Sequence, residues 1–220
     1  MKKLFEENKA FLIPYLSIIL IIVVILLKYD KINIHIFINR HNSIGFDYFF
    51  KYVTWLGDGI VVTIIAVSLL FVKYRYAFIT GLSLILTGIT VQILKHTIFS
   101  ADLRPALFFK TYYKGNYILH TIPGAEPANF FSFPSGHTAA AFALFFSLSL
   151  FVKSKSIKFL FFIFAVSVGY SRIYLSWHFL SDALAGSAAG VLITTVCYLF
   201  INKYKNPFLE KSLLKKINEQ

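Results

Sequence analysis

The stretch S-R-I-Y-L-S-W-H-F-L-S-D, Ser171 to Asp182, joins two long apolar runs yet carries an arginine, a histidine and an aspartate. An ionisable side chain at mid-membrane costs about 2.5–3.5 kcal/mol, so one kept at the edge of a span points to function. His178 and Asp182 are four residues apart; on a helix they share a face and can touch. An Arg/His/Asp cluster that only caps two helix ends is the competing reading of this stretch. Two further polar clusters bear on the choice: K-H-T-I-F-S-A-D-L-R-P, Lys95 to Pro105, and F-P-S-G-H-T, Phe133 to Thr138.

Lys95, Arg104 and Arg172 supply three positive charges, and Ser135 a hydroxyl. Ser135, Gly136 and His137 add backbone N–H groups at the start of a helix. Fixed cations beside a helix N-terminus form an anion site suited to phosphate. The sequence offers no carboxylate cluster for Mg²⁺ or Ca²⁺ and no His/Cys set at zinc spacing, so neither a metal nor a cofactor is expected. The cations must then neutralise the phosphate themselves. Asp182 can fix the tautomer of His178 and leave its other ring nitrogen free to attack phosphorus. His137 can protonate the leaving oxygen and then activate water. Charge on the equatorial oxygens falls to the basic residues and backbone donors.

These groups need elements that bring them to one place. The 220 residues are 57% hydrophobic and 15% charged, with a mean hydropathy of +0.69. A soluble domain is nearer roughly 45–50% apolar and 25% charged. We therefore predict an all-α polytopic membrane protein, a single domain over residues 1–220 forming a bundle of six transmembrane helices. The spans fall at about 10–27, 57–72, 76–94, 136–152, 159–175 and 180–201. M-K-K followed by an apolar run imitates a signal peptide, but no small-residue cleavage pattern follows, and a retained first span is expected. The apolar part of the second, Ile60 to Val72, is short, so its helix should begin before Asp58. A short amphipathic helix is expected over Ile44 to Val53.

Residues 95–134 form the longest polar connection, and a basic tail covers 202–220. The net charge of +12 sits at the ends of apolar runs, which marks membrane orientation rather than nucleic-acid binding. Thirteen of the 22 Lys and Arg fall on the side that holds both termini. That side is predicted to be cytoplasmic, in a cytoplasmic (inner) membrane, with the three polar clusters facing the periplasm or exterior. Cys197 lies inside an apolar run and, as the one cysteine, forms no intrachain disulfide.

The clusters resemble the motifs of the type 2 phosphatidic acid phosphatase superfamily, whose site architecture is shared with vanadium haloperoxidases and bacterial acid phosphatases. Pro134-Ser135-Gly136-His137 is intact, and Ser171-Arg172 is followed at the family spacing by His178 and Asp182. The resemblance covers Lys95 to Asp182 by motif. It implies a metal-independent lipid phosphatase with His178 as nucleophile, Asp182 as its orienting partner and His137 as general acid. Lys95, Arg104, Ser135, Gly136 and Arg172 would hold the phosphate. The substrates it implies are phosphatidic acid, phosphatidylglycerol phosphate, undecaprenyl diphosphate and lipid A phosphate, in contact with membrane lipids. One departure stands out: eight residues separate Lys95 from Arg104, where the family has six. Nine positions along a continuous helix end on the opposite face, so the helix must break near Ser100-Ala101-Asp102 for both to reach one phosphate.

Blander roles are expected elsewhere. Gly186 and Gly190 serve close helix packing, Asp58 caps a span and Asp102 forms a turn. His96 and His120 are interfacial polar residues, and the aromatics between 108 and 131 form an interfacial belt. A lid over lipid tails is the lesser reading of those aromatics. The rivals to a lipid phosphatase are a phosphatase of a soluble sugar phosphate, a non-catalytic lipid-phosphate binder or transporter, and a vanadate-dependent oxidase. A binder would not need His137, His178 and Asp182 together, and bare hydrophobicity argues against the oxidase.

Overall fold

Apolar segments in hydrocarbon must satisfy every backbone N–H and C=O internally, and this chain does so with helices. The computed structural model describes residues 1–113, 117–124 and 128–214, and no strand occurs among them. The helices are α1 (Lys2–Glu7), α2 (Lys9–Lys28), α3 (Lys31–Arg40), α4 (Ile44–Val53) and α5 (Gly59–Ser68). They continue with α6 (Tyr74–Thr97), α7 (Pro105–Tyr112), α8 (Gly136–Phe151), α9 (Lys155–Tyr174) and α10 (Leu180–Ile201).

Among the described residues four helices, α2, α6, α9 and α10, are long and apolar enough to cross a membrane. A fifth candidate is broken: Ile44–Gly57 and Gly59–Phe71 meet at a bend of 53°. This corrects the expected second helix. Asp58 does not lie inside it; its side chain accepts from Ile60 N–H at 2.9 Å and so starts a new helix, as a cap should. The α4 limb is the amphipathic helix expected at Ile44 to Val53. Phe46, Tyr48, Phe49 and Tyr52 are exposed on it, while Phe50 packs on Tyr170 and Tyr174. Helix α8, with 16 residues, falls short of the span length, so length and composition give up to five spans where six were expected.

Helix α8 is the centre of the bundle, packed against α6, α9 and α10. Ala141, Ala143, Leu144 and Phe146 are fully buried, so protein rather than lipid surrounds most of its length. The seam with α10 is built on small residues. A Cβ on Gly186 would lie 2.4 Å from the Ser135 carbonyl oxygen, and one on Gly190 2.5 Å from that of Ala139. The glycine pair therefore does the packing its spacing implied. Gly186→Ala is expected to cost about 1–3 kcal/mol, read as a lower thermal unfolding midpoint in detergent. Gly45→Ala is the control, since nothing lies within 4 Å of its added methyl.

Candidate active site

The end of α6 breaks as the long spacing required. Ile98 and Phe99 N–H both return to the Leu94 carbonyl, and Asp102 N–H closes a turn on Phe99. The chain then restarts as α7, with Pro105 in its first turn, where the missing N–H costs nothing. Lys95 and Arg104 thus meet the same strip of chain. Lys95 Nζ donates to the Phe131 carbonyl at 2.7 Å, and Arg104 Nε to that of Phe130 at 3.0 Å. Phe131 has a φ of 60°, a left-handed conformation that costs a non-glycine residue about 1–3 kcal/mol. The Lys95 bond to its carbonyl helps hold it there.

Ser135 is the N-cap of α8 and is wholly buried. Its hydroxyl accepts from Thr138 Oγ1 at 2.8 Å. Its backbone N–H, counted from the sequence as a free donor, is already given to the Asp182 carbonyl at 2.9 Å. The N–H groups of Gly136 and His137 follow it in the first turn, where a helix supplies no internal acceptor.

Asp182 is the hub of the turn between α9 and α10. One carboxylate oxygen accepts from Ser132 Oγ at 2.6 Å and from Phe179 N–H at 3.0 Å; the other accepts from Ser181 Oγ at 3.0 Å. His178 Nδ1 lies 3.5 Å from the first oxygen and has no closer partner among the described residues. The ring is almost wholly buried, and burial pushes its pKa well down against the opposing pull of Asp182, so it is neutral at physiological pH. The geometry assigns the proton to Nδ1, facing the carboxylate, and leaves Nε2 as the lone-pair nitrogen.

Arg172 is 1% exposed. Nη1 donates to Thr54 Oγ1 at 2.6 Å, the guanidinium lies 3.9 Å from the centre of the Trp177 ring, and Nε is buried without a partner among the described residues. A buried guanidinium N–H left unpaired costs free energy until an anion accepts it. Arg172, Arg104 and Lys95 are near enough to act on one another's charge. His137 stands across Trp177, its Nε2 3.9 Å from Asp58. All eight residues singled out from the sequence therefore belong to one cluster. Among the described residues no three His, Cys, Asp or Glu side chains form a metal-binding group.

Sequence reasoning missed the supports of this cluster. Ser132 and Thr54 are ordinary residues in loop and helix, and Trp177 reads as one more aromatic. A second polar network lies behind the turn. Ser176, at φ 56°, is bonded to His35 Nε2 at 3.1 Å and to Asn39 at 3.2 Å. Asn39 also grips the His120 backbone at both its N–H and its carbonyl, and His120 Nε2 meets Asp47 at 2.9 Å. His120 is thus a structural tie rather than a loose interfacial residue. His96 lies against Phe131 as an exposed ring, and Asp102 forms the turn expected of it. The aromatics are more than a belt: Phe109 is buried against His35, and Tyr117 donates to Asn39.

In this all-helical membrane bundle the central helix begins beside clustered cations and two histidines, an arrangement that can hold an anion. Residues 76–206 match the model of the PAP2 superfamily, and the chain belongs to that family. It is similar to "Lipid phosphate phosphatase 2" of Arabidopsis thaliana, 30% identical over 139 residues that cover 53% of this chain and 47% of the relative. "Probable lipid phosphate phosphatase 4" of the same plant is 25% identical over 146 residues, 56% of this chain and 47% of the relative. The chain spans about half the length of the curated relatives it matches. The crystal structure of Aquifex aeolicus LpxE superposes with a TM-score of 0.61 at 28% identity, over 78% of this chain and 94% of that one. The first transmembrane PAP2 type phosphatidylglycerolphosphate phosphatase from Bacillus subtilis shares the fold, with a TM-score of 0.63 at 21% identity over 92% and 99%.

Proposed function

We propose that this chain hydrolyses a lipid phosphate monoester or diphosphate, without a metal, through a phosphohistidine on His178. The observation that carries the reading is the neutral, buried His178 backed by Asp182, beside a buried Arg172 whose Nε has no acceptor among the described residues. Nε2 of His178 attacks phosphorus, and the P–O bond to the leaving group breaks. His137 gives that oxygen a proton. His137 then takes a proton from water, whose oxygen attacks phosphorus, cleaves the P–N bond and releases phosphate. Arg172 Nε, Arg104, Lys95 and the first N–H groups of α8 hold the equatorial oxygens. Lys95 and Arg104 exchange their present carbonyl partners for the phosphate.

The lipid reading rests on a cavity of about 410 Å³ between α5, α6 and α8. Val62, Leu84, Ile85 and Val91 line it within the apolar helices, and Gly136 and His137 line its site end. A chain-bearing substrate can lie there with its phosphate at the helix start, a feature that a soluble sugar phosphate would not use. The relatives named for lipid phosphates favour the same class. In this reading the chain is one domain with six crossings, the bent pair and α8 completing the four long helices. Both termini are cytoplasmic, and the site opens at the outer leaflet of the inner membrane.

The test is a phosphate-release screen in detergent over phosphatidic acid, phosphatidylglycerol phosphate, undecaprenyl diphosphate and lipid A phosphate. Release from at least one lipid, inhibition by vanadate and full activity in EDTA are expected. No release from any of them would overturn the reading, and loss of activity on chelation would overturn its metal-free form.

A further inference from the structure

The mechanism pairs one histidine with a carboxylate and leaves the other without one. We infer that Asp58 is the carboxylate partner of His137 and holds it as the charged acid before proton transfer, a role that rests on the phosphatase reading. The two oxygens of Asp58 are divided between two tasks. Oδ1 caps α5 through Ile60 N–H at 2.9 Å, while Oδ2 lies 3.9 Å from His137 Nε2. Both side chains are about one-third exposed and line a common cavity of about 190 Å³ with Thr54 and Trp177.

The backbone is shaped to bring them together. The 53° bend between the α4 and α5 limbs falls at Asp58. The residue before it, Gly57, packs so closely on α8 that a Cβ would lie 2.6 Å from the His137 carbonyl oxygen. Any larger residue at 57 would push Asp58 away from the imidazole. A cap alone needs no such approach, because its acceptor work is done within α5.

Charge gives the contact its purpose. Around His137 stand Arg172 from α9, Arg104 from the loop before α7 and Lys95 from α6, with Lys51 of α4 on the wall of the shared cavity. Burial of the ring opposes a proton on the imidazole, and so do the charges of Arg172, Arg104 and Lys95, whereas a general acid must carry one. Asp58 supplies negative charge at the ring itself. It touches neither phosphate nor leaving group, and so acts as a positioning residue.

The experiment compares Asp58→Asn and Asp58→Ser with the wild type. Both replacements keep an N-cap acceptor and remove the charge. We expect unchanged unfolding midpoints, kcat lower by about 10- to 100-fold, near-constant KM, and a descending limb of the pH–rate profile about one unit lower. Asp58→Glu, which restores the charge, should recover part of the rate. Histidine-labelled protein, with His137→Gln to assign the signal, gives a readout independent of turnover. The His137 titration midpoint should fall in Asp58→Asn. Wild-type kcat and pH limb in both uncharged variants, or an unmoved His137 midpoint, would leave Asp58 a cap and overturn the inference. Absence of wild-type turnover with a shifted midpoint would instead overturn the phosphatase reading and keep the pair.

Discussion

His178→Ala is expected to abolish phosphate release from every lipid substrate, a loss of at least about 10⁴-fold, while the protein still inserts and keeps its helices. The fold does not depend on this ring. Its backbone N–H, which donates to the Arg172 carbonyl at 3.1 Å, survives the substitution, and its Nδ1 makes only the 3.5 Å approach to Asp182. Acid–base rescue cannot replace a missing nucleophile, so no pH should restore turnover. In the wild type, rapid quenching with labelled substrate should trap an alkali-stable, acid-labile label that the variant lacks. Turnover retained in the variant would remove His178 from the mechanism. Burial of the neutral ring also links stability to pH. Its pKa is lowered on folding, so the contribution is present above the ordinary histidine value of about 6.5 and is lost as pH falls below it.

Asp182→Asn should be nearly as damaging and structurally milder. The amide oxygen can take the place of the carboxylate oxygen that accepts from Ser132 and Phe179, and the amide N–H₂ can donate to Ser181 Oγ. What disappears is the negative charge beside the ring of His178, which the proposed phosphorylation would make positive. Loss of about 10³–10⁴-fold in kcat is expected, with a small change in unfolding midpoint. Asp182→Ala should differ, because it leaves the buried Ser132 hydroxyl and Phe179 N–H without an acceptor. It is expected to cost about 2–4 kcal/mol in stability as well as activity. An asparagine variant within tenfold of wild-type kcat would contradict the role given to the charge.

Much of the site was legible because it is written locally. Pro134 to His137 is continuous in sequence, and His178 and Asp182 lie one helical turn apart, so residue type and spacing already placed them. The extra two residues after Lys95 forced a helix break, and the chain turns there, between Thr97 and Pro105. The supports were not legible, because they are made across the fold. Arg172 meets Thr54 118 residues away, and Ser176 meets His35 141 residues away. No periodicity encodes such a pair; only the packing of α3 and α4 on the α9 turn creates it. The span boundaries followed hydropathy well for α2, α6, α9 and α10. The second helix did not, since an aspartate that caps as readily as Asp58 ends one helix and starts another.

The Ser135 N–H that donates to the Asp182 carbonyl ties the first residue of the Ser-Gly-His motif to the last of the Arg-His-Asp motif. His137 lies two residues past one end of that bond, and His178 four residues before the other. The distance between the two imidazoles is thus inherited from how deeply α10 seats on α8, a depth set by the bare backbones of Gly186 and Gly190. Those two glycines touch no phosphate, yet they act as the gauge blocks of the site. A substitution along this seam that lowers thermal stability is therefore expected to lower turnover with it. On the lipid-facing flank of α2, where Leu16, Leu20 and Val24 are exposed, no such link is expected.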